Sequence, residues 1–186
     1  GNPGERYRGS RHNVGFMTVE GLGRMHAIPL NRERHQVRFG LGEVAGVPVA
    51  LAQPLAFMNR SGPPSFQLAR ELQLSFHELV VVHDDIDLAF GRLKIKAKGG
   101  HGGHNGLRSL MEAFGTGAFV RVRIGVGRPE AGGNVTDHVL GSFAAQEAEH
   151  LPGVLGRAQE AVAVIIRHGP LEGMNRFNQP NPEVHR

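Results

Sequence analysis

The segment from Leu79 to Leu110, LVVVHDDIDLAFGRLKIKAKGGHGGHNGLRSL, constrains the fold more than any other part of the chain. It begins with a short apolar run without alternation, which is typical of a strand covered by helices on both faces. Polar residues follow this run directly, namely His83, Asp84, Asp85 and Asp87. Ligands of open α/β sheets bind at the carboxyl ends of strands. We therefore expect these side chains to lie at a functional edge of the sheet.

The second half of the segment predicts a strand, a glycine loop and a helix in succession. From Arg92 to Lys98, apolar and basic residues alternate strictly, which is the pattern of a strand with one basic face. The glycine-rich sequence GGHGGHNG then leads into residues with helical spacing. Free backbone N–H groups at a helix amino terminus suit anions. This loop is therefore predicted to lead to an anion-binding helix end.

The rest of the chain supplies further strands and helices. The predictions are a helix at 14–25, two strands within 38–51, a helix starting at Ser61 or Pro63, and a helix at 154–166. The sequence FVRVRIGVG predicts another strand with a cationic face, and 131–143 is predicted to be a loop. Strands that alternate with helices indicate an α/β fold, a three-layer single domain with a mixed β-sheet flanked by helices.

Length and composition favour one domain over 1–186. The 186 residues suffice for a core without disulfides, and the chain has no cysteine. The polar, proline-bearing segment 175–186 predicts a mobile tail. No apolar run approaches the ~20 residues of a membrane span, and no signal-peptide pattern opens the chain, so we expect a cytoplasmic protein. The net charge of +4 is compatible with an anionic partner.

His12 and Asp84 are candidates for acid–base chemistry. His12 lies in SRHN between a turn and a helix, where an imidazole of pKa about 6.5 can act as a general base. A carboxylate such as Asp84 can orient that ring and stabilise its charged form. The alternatives are a surface or helix-capping histidine, which is the more common role, and an aspartate that caps a turn. No serine stands in a GxSxG motif, so water is the expected nucleophile.

A metal site is the competing interpretation for the histidines. The side chains of metal-ligand type are His83, Asp84, His101 and His104. Their spacing matches neither HExxH nor another zinc motif, and no cysteine assists. We therefore expect no metal and no other cofactor.

The basic strand faces also have two interpretations. Their cations are Lys94, Lys96, Lys98, Arg121 and Arg123. They are either solvated faces or, if the two strands pair, one patch for phosphate groups. Tyr7 and Phe57 are the aromatic residues nearest the motifs and the candidates for stacking on bases.

Several short segments, taken in order, closely resemble bacterial-type peptidyl-tRNA hydrolases. They are GNPG, Tyr7, SRHNVGF, FMNRSG, HDDID, GGHGGHNGL and RIGVGRP, and they span most of the chain. The resemblance implies an α/β fold with a mixed sheet between helices, and a monomer that works without metal. It also implies hydrolysis of the ester that joins a peptide to tRNA, which recycles tRNA from prematurely released peptidyl-tRNA.

The resemblance implies catalytic roles for particular residues. His12 matches the family's catalytic histidine and Asp84 its carboxylate partner. Asn59 and Asn105 match asparagines that position water or substrate. Asn2 matches the residue associated with recognition of the blocked peptide end.

It also implies contacts with the tRNA. Tyr7 and Phe57 match positions that contact the tRNA end, and Met58 is predicted to bind substrate beside them. The residues that resemble the family's cationic grip on the terminal phosphate are Lys94, Lys96 and Arg123.

The chain departs from the family pattern in three places. Family members begin with an apolar strand ahead of the glycine motif. That strand is missing before Gly1, so we expect either that its residues were omitted from the sequence or that the sheet lacks it. Ser10 stands where threonine is usual, and Gln53 where lysine is common.

Two other functions are consistent with the sequence. One is an RNA-binding module without catalysis, since relatives of the family include plant organellar splicing factors. The joint presence of His12, Asp84 and Asn105 favours an enzyme over that module. The other is a metal-dependent hydrolase, which a chelator would inactivate.

Overall fold

The computed structural model describes residues 1–179, which contain both helices and strands. The helices are α1 (Val14–Met25), α2 (Gly62–Glu71), α3 (Asn105–Phe114), α4 (Val135–Leu140), α5 (Ala145–His168) and α6 (Pro170–Phe177). The strands are β1 (Arg32–Arg34), β2 (Val37–Val44), β3 (Val47–Pro54), β4 (Val80–Asp85), β5 (Leu93–Lys96) and β6 (Val120–Gly125). Short 3-10 turns occupy Glu5–Tyr7, Arg11–Asn13, Met58–Arg60 and Phe76–Glu78.

The strands form two sheets. In the mixed sheet, β6 lies between β4, which runs parallel to it, and β5, which runs antiparallel. The second sheet is antiparallel and joins β1, β2 and β3. Ala45 and Gly46 connect β2 to β3 with positive φ angles, as a tight hairpin turn requires. The two strands that were predicted to have basic faces are β5 and β6, and they pair with each other in the mixed sheet.

Helices cover both faces of the mixed sheet. On one face, Ile95, Val122 and Ile124 are buried in a core that also contains apolar residues of α5 and α6. On the other face, Phe119 packs with Leu107 and Leu110 of α3. This helix–sheet–helix arrangement confirms the predicted α/β fold with a mixed sheet flanked by helices.

Two predictions about local structure are wrong in detail. The segment 131–143 is not all loop, because Asn134 accepts hydrogen bonds from the backbone N–H groups of Thr136 and Asp137 and so begins α4. The valines of β4 are only half-buried, because β4 lies at an edge of its sheet.

The predicted boundaries of the last helices also need correction. Helix α5 begins at Ala145 rather than near 154, since Glu147 accepts the backbone N–H of Ala144 and closes a capping box. The predicted mobile tail is wrong as far as 179: Phe177 is buried at the end of α6, and the Asn178 amide makes two hydrogen bonds with the backbone of Ile95. The remainder of that prediction, 180–186, lies outside the described residues.

Helix α1 approaches β4 closely at Gly15. A Cβ atom added there would lie 2.3 Å from the backbone oxygen of Val82. This approach brings the turn at Arg11–Asn13, which precedes α1, next to the carboxyl end of β4. None of the helices within 1–179 is both long and apolar enough to cross a membrane.

We predict that Gly15→Ala destabilises the protein by about 1–3 kcal/mol, because the methyl group must displace the backbone of β4. The matched control is Gly156→Ala in α5, where an added Cβ meets nothing within 4 Å. That change should instead stabilise the helix by about 0.5–1 kcal/mol. Urea unfolding measures both free energies. Equal stability of the two variants would contradict the close approach of α1 to β4.

Candidate active site

A cleft of about 860 Å³ opens at the carboxyl end of β4, within the usual size range of ligand sites. It collects predicted site residues from segments far apart in the chain, namely Asn2, Tyr7, His12, Phe57, Met58, Asn59, Asp84, Lys96, Asn105 and Arg123. Lys94 is the exception, since it lies opposite Arg123 in the sheet but does not line the cleft.

Asp84 is the polar centre of the cleft and is almost completely buried. Its two carboxylate oxygens lie 2.8 and 2.9 Å from Nδ1 of His12, and one of them lies 2.9 Å from Nε2 of His104. Burial raises the pKa of this carboxyl, but His104 and His12 together outweigh burial and hold the pKa well below its usual range. Asp84 is therefore ionised at neutral pH and accepts hydrogen bonds from both rings.

The hydrogen bonds of His104 determine its tautomer. The backbone N–H groups of Gly106 and Leu107 donate to Nδ1 of His104, at 3.1 and 3.2 Å. Nδ1 must therefore carry a lone pair, so the ring proton is on Nε2 and is donated to Asp84. His104 caps α3 and binds Asp84 only as a neutral ring, which fits it to hold Asp84 in place.

The same reasoning determines the tautomer of His12. Its Nδ1 faces an ionised carboxylate at hydrogen-bond distance and therefore carries the proton. Nε2 of the neutral ring then has a free lone pair, and His12 lines the cleft with its side chain 11% exposed. The predicted pairing of His12 with Asp84 is present in the structure, in the arrangement that a general base requires.

The turn that carries His12 is tied to α5 and to the loop before it. Arg11 donates to the backbone oxygen of Ser142 at 2.6 Å and forms an ion pair with Glu147 at 2.5 Å. Its side chain and that of Glu147 are both largely buried, so this pair is shielded from salt better than a surface pair. These contacts hold Arg11, the residue directly before His12, and so restrain the backbone of the turn.

Asn2 links the first residues of the chain to the turn at Met58–Arg60. Its Oδ1 accepts the backbone N–H of Met58 at 2.8 Å, while its backbone exchanges hydrogen bonds with the side chain of Asn13. Asn2 lines the cleft, and its NH₂ group donates to no acceptor within 1–179. This NH₂ group is therefore available as a hydrogen-bond donor to a ligand.

Asn59 and Asn105 are the exposed amides of the site. Asn105 is the first residue of α3, and its Oδ1 accepts a hydrogen bond from Arg108 at 2.8 Å. Its NH₂ group thus remains available to a ligand. Asn59 lies in the turn at Met58–Arg60, beside the exposed ring of Phe57. Both residues line the cleft and are exposed, so their N–H donors are accessible to a ligand there.

The cationic patch is smaller than the sequence indicated. Arg121 is 2% exposed and donates to the backbone oxygens of Gly99, Gly100 and Gly117, so its prediction as part of a phosphate patch is wrong. Arg123 forms an ion pair with Asp85 and is partly exposed to the cleft.

The amino terminus of α3 is not the free anion site that the sequence suggested. The N–H groups of Gly106 and Leu107 are both directed at His104, and Arg108 N–H donates to the His104 backbone oxygen. An anion at this helix end would have to displace these contacts, so the prediction of an open anion site is wrong.

His104 and α4 are the parts of the site that the sequence did not identify. His104 was considered only as a metal ligand, and its position directly before a helix was the available signal. Val135, Thr136, Val139 and Leu140 of α4 line the cleft, although their segment was predicted to be loop. The signal there was Asn134, a favoured N-cap residue.

Comparison with known proteins identifies the family. The family model described as "Peptidyl-tRNA hydrolase" matches residues 1–184. The chain belongs to the peptidyl-tRNA hydrolase family. Its relatives include the peptidyl-tRNA hydrolases of Geobacter metallireducens, 42% identical over 96% of this chain and 91% of that protein, and of Syntrophotalea carbinolica, 39% identical over 96% and 93%.

Solved structures agree with this membership. A crystal structure of peptidyl-tRNA hydrolase from Acinetobacter baumannii has a TM-score of 0.91 to this chain, with 34% identity over 98% of this chain and 93% of that one. The resemblance noted in the sequence is therefore confirmed over nearly the full length.

The cluster of His12, Asp84 and His104 has the residue types of a metal site, with candidate ligand atoms within 4.8 Å of one another. Its hydrogen bonds argue against that use. Nδ1 of His104 accepts two backbone N–H groups, and its Nε2 carries the proton given to Asp84. A metal would require His104 to give up one of these contacts, so the cluster is suited to proton chemistry instead.

His83 is buried beside this cluster. Its Nδ1 donates to the backbone oxygen of Asp84 at 2.7 Å, and its Nε2 has no partner within 1–179. Burial, followed by the proximity of His104, lowers the pKa of His83 to about 3. His83 therefore stays neutral and cannot exchange protons near neutral pH.

We predict that His83 makes the fold sensitive to mild acid. The unfolded chain binds a proton at this residue below a pKa of about 6.5, whereas the native protein binds it only near 3. Stability should therefore fall as pH drops through this window, by up to ~1.4 kcal/mol per pH unit from this group.

The variant His83→Asn removes the titrating ring and keeps a side-chain donor for the Asp84 backbone. Urea unfolding of both proteins at several pH values between 6.5 and 4.5 gives the comparison. The variant should lose less stability on acidification than the wild type. Parallel pH dependences would show that His83 does not titrate as described.

Proposed function

We propose that this protein hydrolyses the ester bond between a peptide and tRNA, with water as the nucleophile and His12 as the general base. The observation that carries this proposal is the tautomer of His12. Asp84 holds its Nδ1–H, so the Nε2 lone pair is accessible from the cleft. A base with its orientation and tautomer already set needs no rearrangement when the substrate binds.

In the proposed reaction, Nε2 of His12 takes a proton from water as the water oxygen attacks the ester carbonyl. The Asp84 carboxylate stabilises the imidazolium that forms, as in hydrolytic triads. In this mechanism the NH₂ groups of Asn105 and Asn59, which line the cleft, donate to the developing oxyanion or hold the water. The proton on His12 then passes to the ribose oxygen as the tRNA leaves.

The walls of the cleft suit the two ends of this substrate. The NH₂ group of Asn2 can donate to a peptide carbonyl, whereas it repels a free α-ammonium group. The exposed ring of Phe57, together with Tyr7 and Met58, offers apolar contact for the tRNA end. Lys96 and Arg123 supply the charge for a phosphate at the far side.

We further propose that the enzyme works as a monomer in the cytoplasm, where translation produces its substrate. All the residues assigned above come from one chain and reach the same cleft. A second subunit is not needed to complete the site.

We predict that His12→Ala lowers kcat by ~10² or more, since general-base catalysis contributes factors of that size. Asp84→Asn should also slow turnover, because an amide no longer fixes the Nδ1–H tautomer. Both variants should bind tRNA nearly as the wild type does. The measurement is single-turnover cleavage of N-acetyl-aminoacyl-tRNA. Near-native turnover in folded His12→Ala would remove His12 from the mechanism.

The substrate itself is tested by comparing N-acetyl-aminoacyl-tRNA with unblocked aminoacyl-tRNA. Wild-type protein should cleave the blocked ester much faster. Asn2→Asp keeps the acceptor for Met58 N–H but replaces the NH₂ donor with a charge that attracts an ammonium group, so it should narrow this preference. An unchanged ratio of kcat/KM would exclude Asn2 from recognition. Binding of both RNAs without any ester loss would favour a non-catalytic RNA-binding module.

We predict that Lys96→Ala and Arg123→Ala raise KM for full tRNA more than they lower kcat, because phosphate contacts bind ground state and transition state alike. Lys94→Ala should have the smallest effect of the three, since Lys94 does not line the cleft. Each lost phosphate contact should reduce the log–log salt slope of binding by about 0.7–0.9.

The control is Arg24→Ala, which removes an exposed cation at the end of α1, outside the residues that line the cleft. A short aminoacyl-nucleotide ester without the terminal phosphate should not respond to any of these substitutions. Equal losses on the short ester and on tRNA would mean that these residues support the fold or the chemistry instead of a phosphate clamp.

A further inference from the structure

Arg121 is a buried cation whose hydrogen bonds go to the backbone of two loops. Its guanidinium donates to the oxygens of Gly99 and Gly100, at the start of the glycine loop, and to that of Gly117 before β6. The three distances are 2.5, 2.6 and 3.0 Å. The same group stacks 4.8 Å from the ring centroid of Phe119. No carboxylate within 1–179 forms a salt bridge with it, so backbone dipoles and one aromatic ring balance its charge.

The loop that Arg121 holds is rich in glycine, and its internal hydrogen bonds lie near its far end, where the N–H groups of Gly103 and His104 donate to His101. Gly99, Gly102 and Gly103 all have positive φ angles, and glycine loses more conformational entropy on folding than any other residue. The sole direct backbone hydrogen bond between Gly99 and Gly117 in the described chain is long, at 3.3 Å. The guanidinium is therefore the main anchor at the start of this loop.

The far end of the loop carries the catalytic geometry. His104 caps α3 and donates to Asp84, and Asn105 follows it into the cleft. The loop is thus fixed at its start by Arg121 and delivers His104 at its end. If the start of the loop were free to move, His104 could lose its hydrogen bond to Asp84. Asp84 would then orient the His12 ring less well.

We propose that Arg121 is a positioning residue, which sets the glycine loop so that His104 reaches Asp84. Arg121 borders the cleft, but it is only 2% exposed and both of its terminal nitrogens donate to backbone oxygens, so we assign it to the loops and not to the substrate. The expected effect of Arg121 on the rate of ester hydrolysis rests on the proposed function, whereas its effect on the position of the loop does not.

Gly117 lies where Arg121 and the two loops meet, and only a residue without a side chain fits there. A Cβ atom added there would lie 2.6 Å from the Gly99 oxygen and 3.1 Å from the guanidinium. The two loops and the arginine are therefore packed too closely to admit a side chain at Gly117, and this close packing limits movement of the loops.

The test compares Arg121→Gln with Arg121→Lys and with a matched control. Arg121→Gln removes the cation, and Arg121→Lys keeps a point charge that lacks the planar fork needed to span separate carbonyls. The control, Arg38→Gln, removes another partly buried arginine, which donates to Gln53 Oε1 in the second sheet and forms an ion pair with Glu20, away from the glycine loop. Hydrogen exchange by NMR follows the amides of Gly106 and Leu107, which report on the His104 cap.

Both Arg121 variants should exchange these two amides faster, while amides of β2 and β3 keep their wild-type protection. The kcat for N-acetyl-aminoacyl-tRNA should fall on the order of 10- to 100-fold, as expected for a misplaced catalytic group, with a smaller change in KM. Ethylguanidinium added to Arg121→Ala should restore part of the rate. Arg38→Gln should lower global stability and leave both the cap and kcat unchanged.

Three results would overturn the proposal. The first is that folded Arg121→Lys has the hydrogen exchange and kcat of the wild type. The second is that exchange in the Arg121 variants becomes faster evenly over the whole protein. The third is that these variants raise KM alone, as the loss of a phosphate ligand would. Arg121→Lys decides the question if Arg121→Gln does not fold. If the wild-type protein cleaved no ester, the proposed function would fail, but the exchange of Gly106 and Leu107 would still decide the role of Arg121.

Discussion

The buried, ionised carboxylate of Asp84 is the interaction on which the rest of the site depends. A charge taken out of water is costly unless hydrogen bonds replace its hydration. Here two neutral imidazoles supply those bonds, one from a turn near the start of the chain and one from the end of the glycine loop. The carboxylate fixes the tautomer of His12, the backbone of α3 fixes that of His104, and the two histidines keep the carboxylate charged. The three groups therefore form one unit whose parts cannot be replaced singly.

The fold is organised to deliver these groups to the end of β4. Gly15 lets α1 touch the backbone of β4, which brings His12 to Asp84. On the other side, the backbone N–H groups at the start of α3 hold the His104 ring in place from behind. Other side chains of the cleft, including Asn105 and Phe57, are exposed by contrast. The structure thus places a buried, hydrogen-bonded centre within an open cleft.

Much of this arrangement could be predicted from the sequence, where the signal was local. Strict alternation located β5 and its basic face, and the position of Asp84 after an apolar run placed it at a strand end. The part that could not be predicted depends on tertiary partners. Arg121 and Arg123 lie on the same face of β6 and both border the cleft, but only the structure shows that Arg121 is buried and donates to glycine carbonyls, whereas Arg123 stays partly exposed. The segment 175–179 is polar enough to resemble a free tail. In the structure, however, the Asn178 amide pairs with the backbone of Ile95 in β5.

The most direct test of this account is the protonation state of the two ring systems bound to Asp84. ¹⁵N NMR of histidine-labelled protein at neutral pH distinguishes protonated from unprotonated ring nitrogens. We predict that His12 carries its proton on Nδ1 with Nε2 free, and that His104 carries its proton on Nε2 with Nδ1 free. A proton on Nε2 of a neutral His12, or on Nδ1 of His104, would contradict the arrangement on which the proposed mechanism rests.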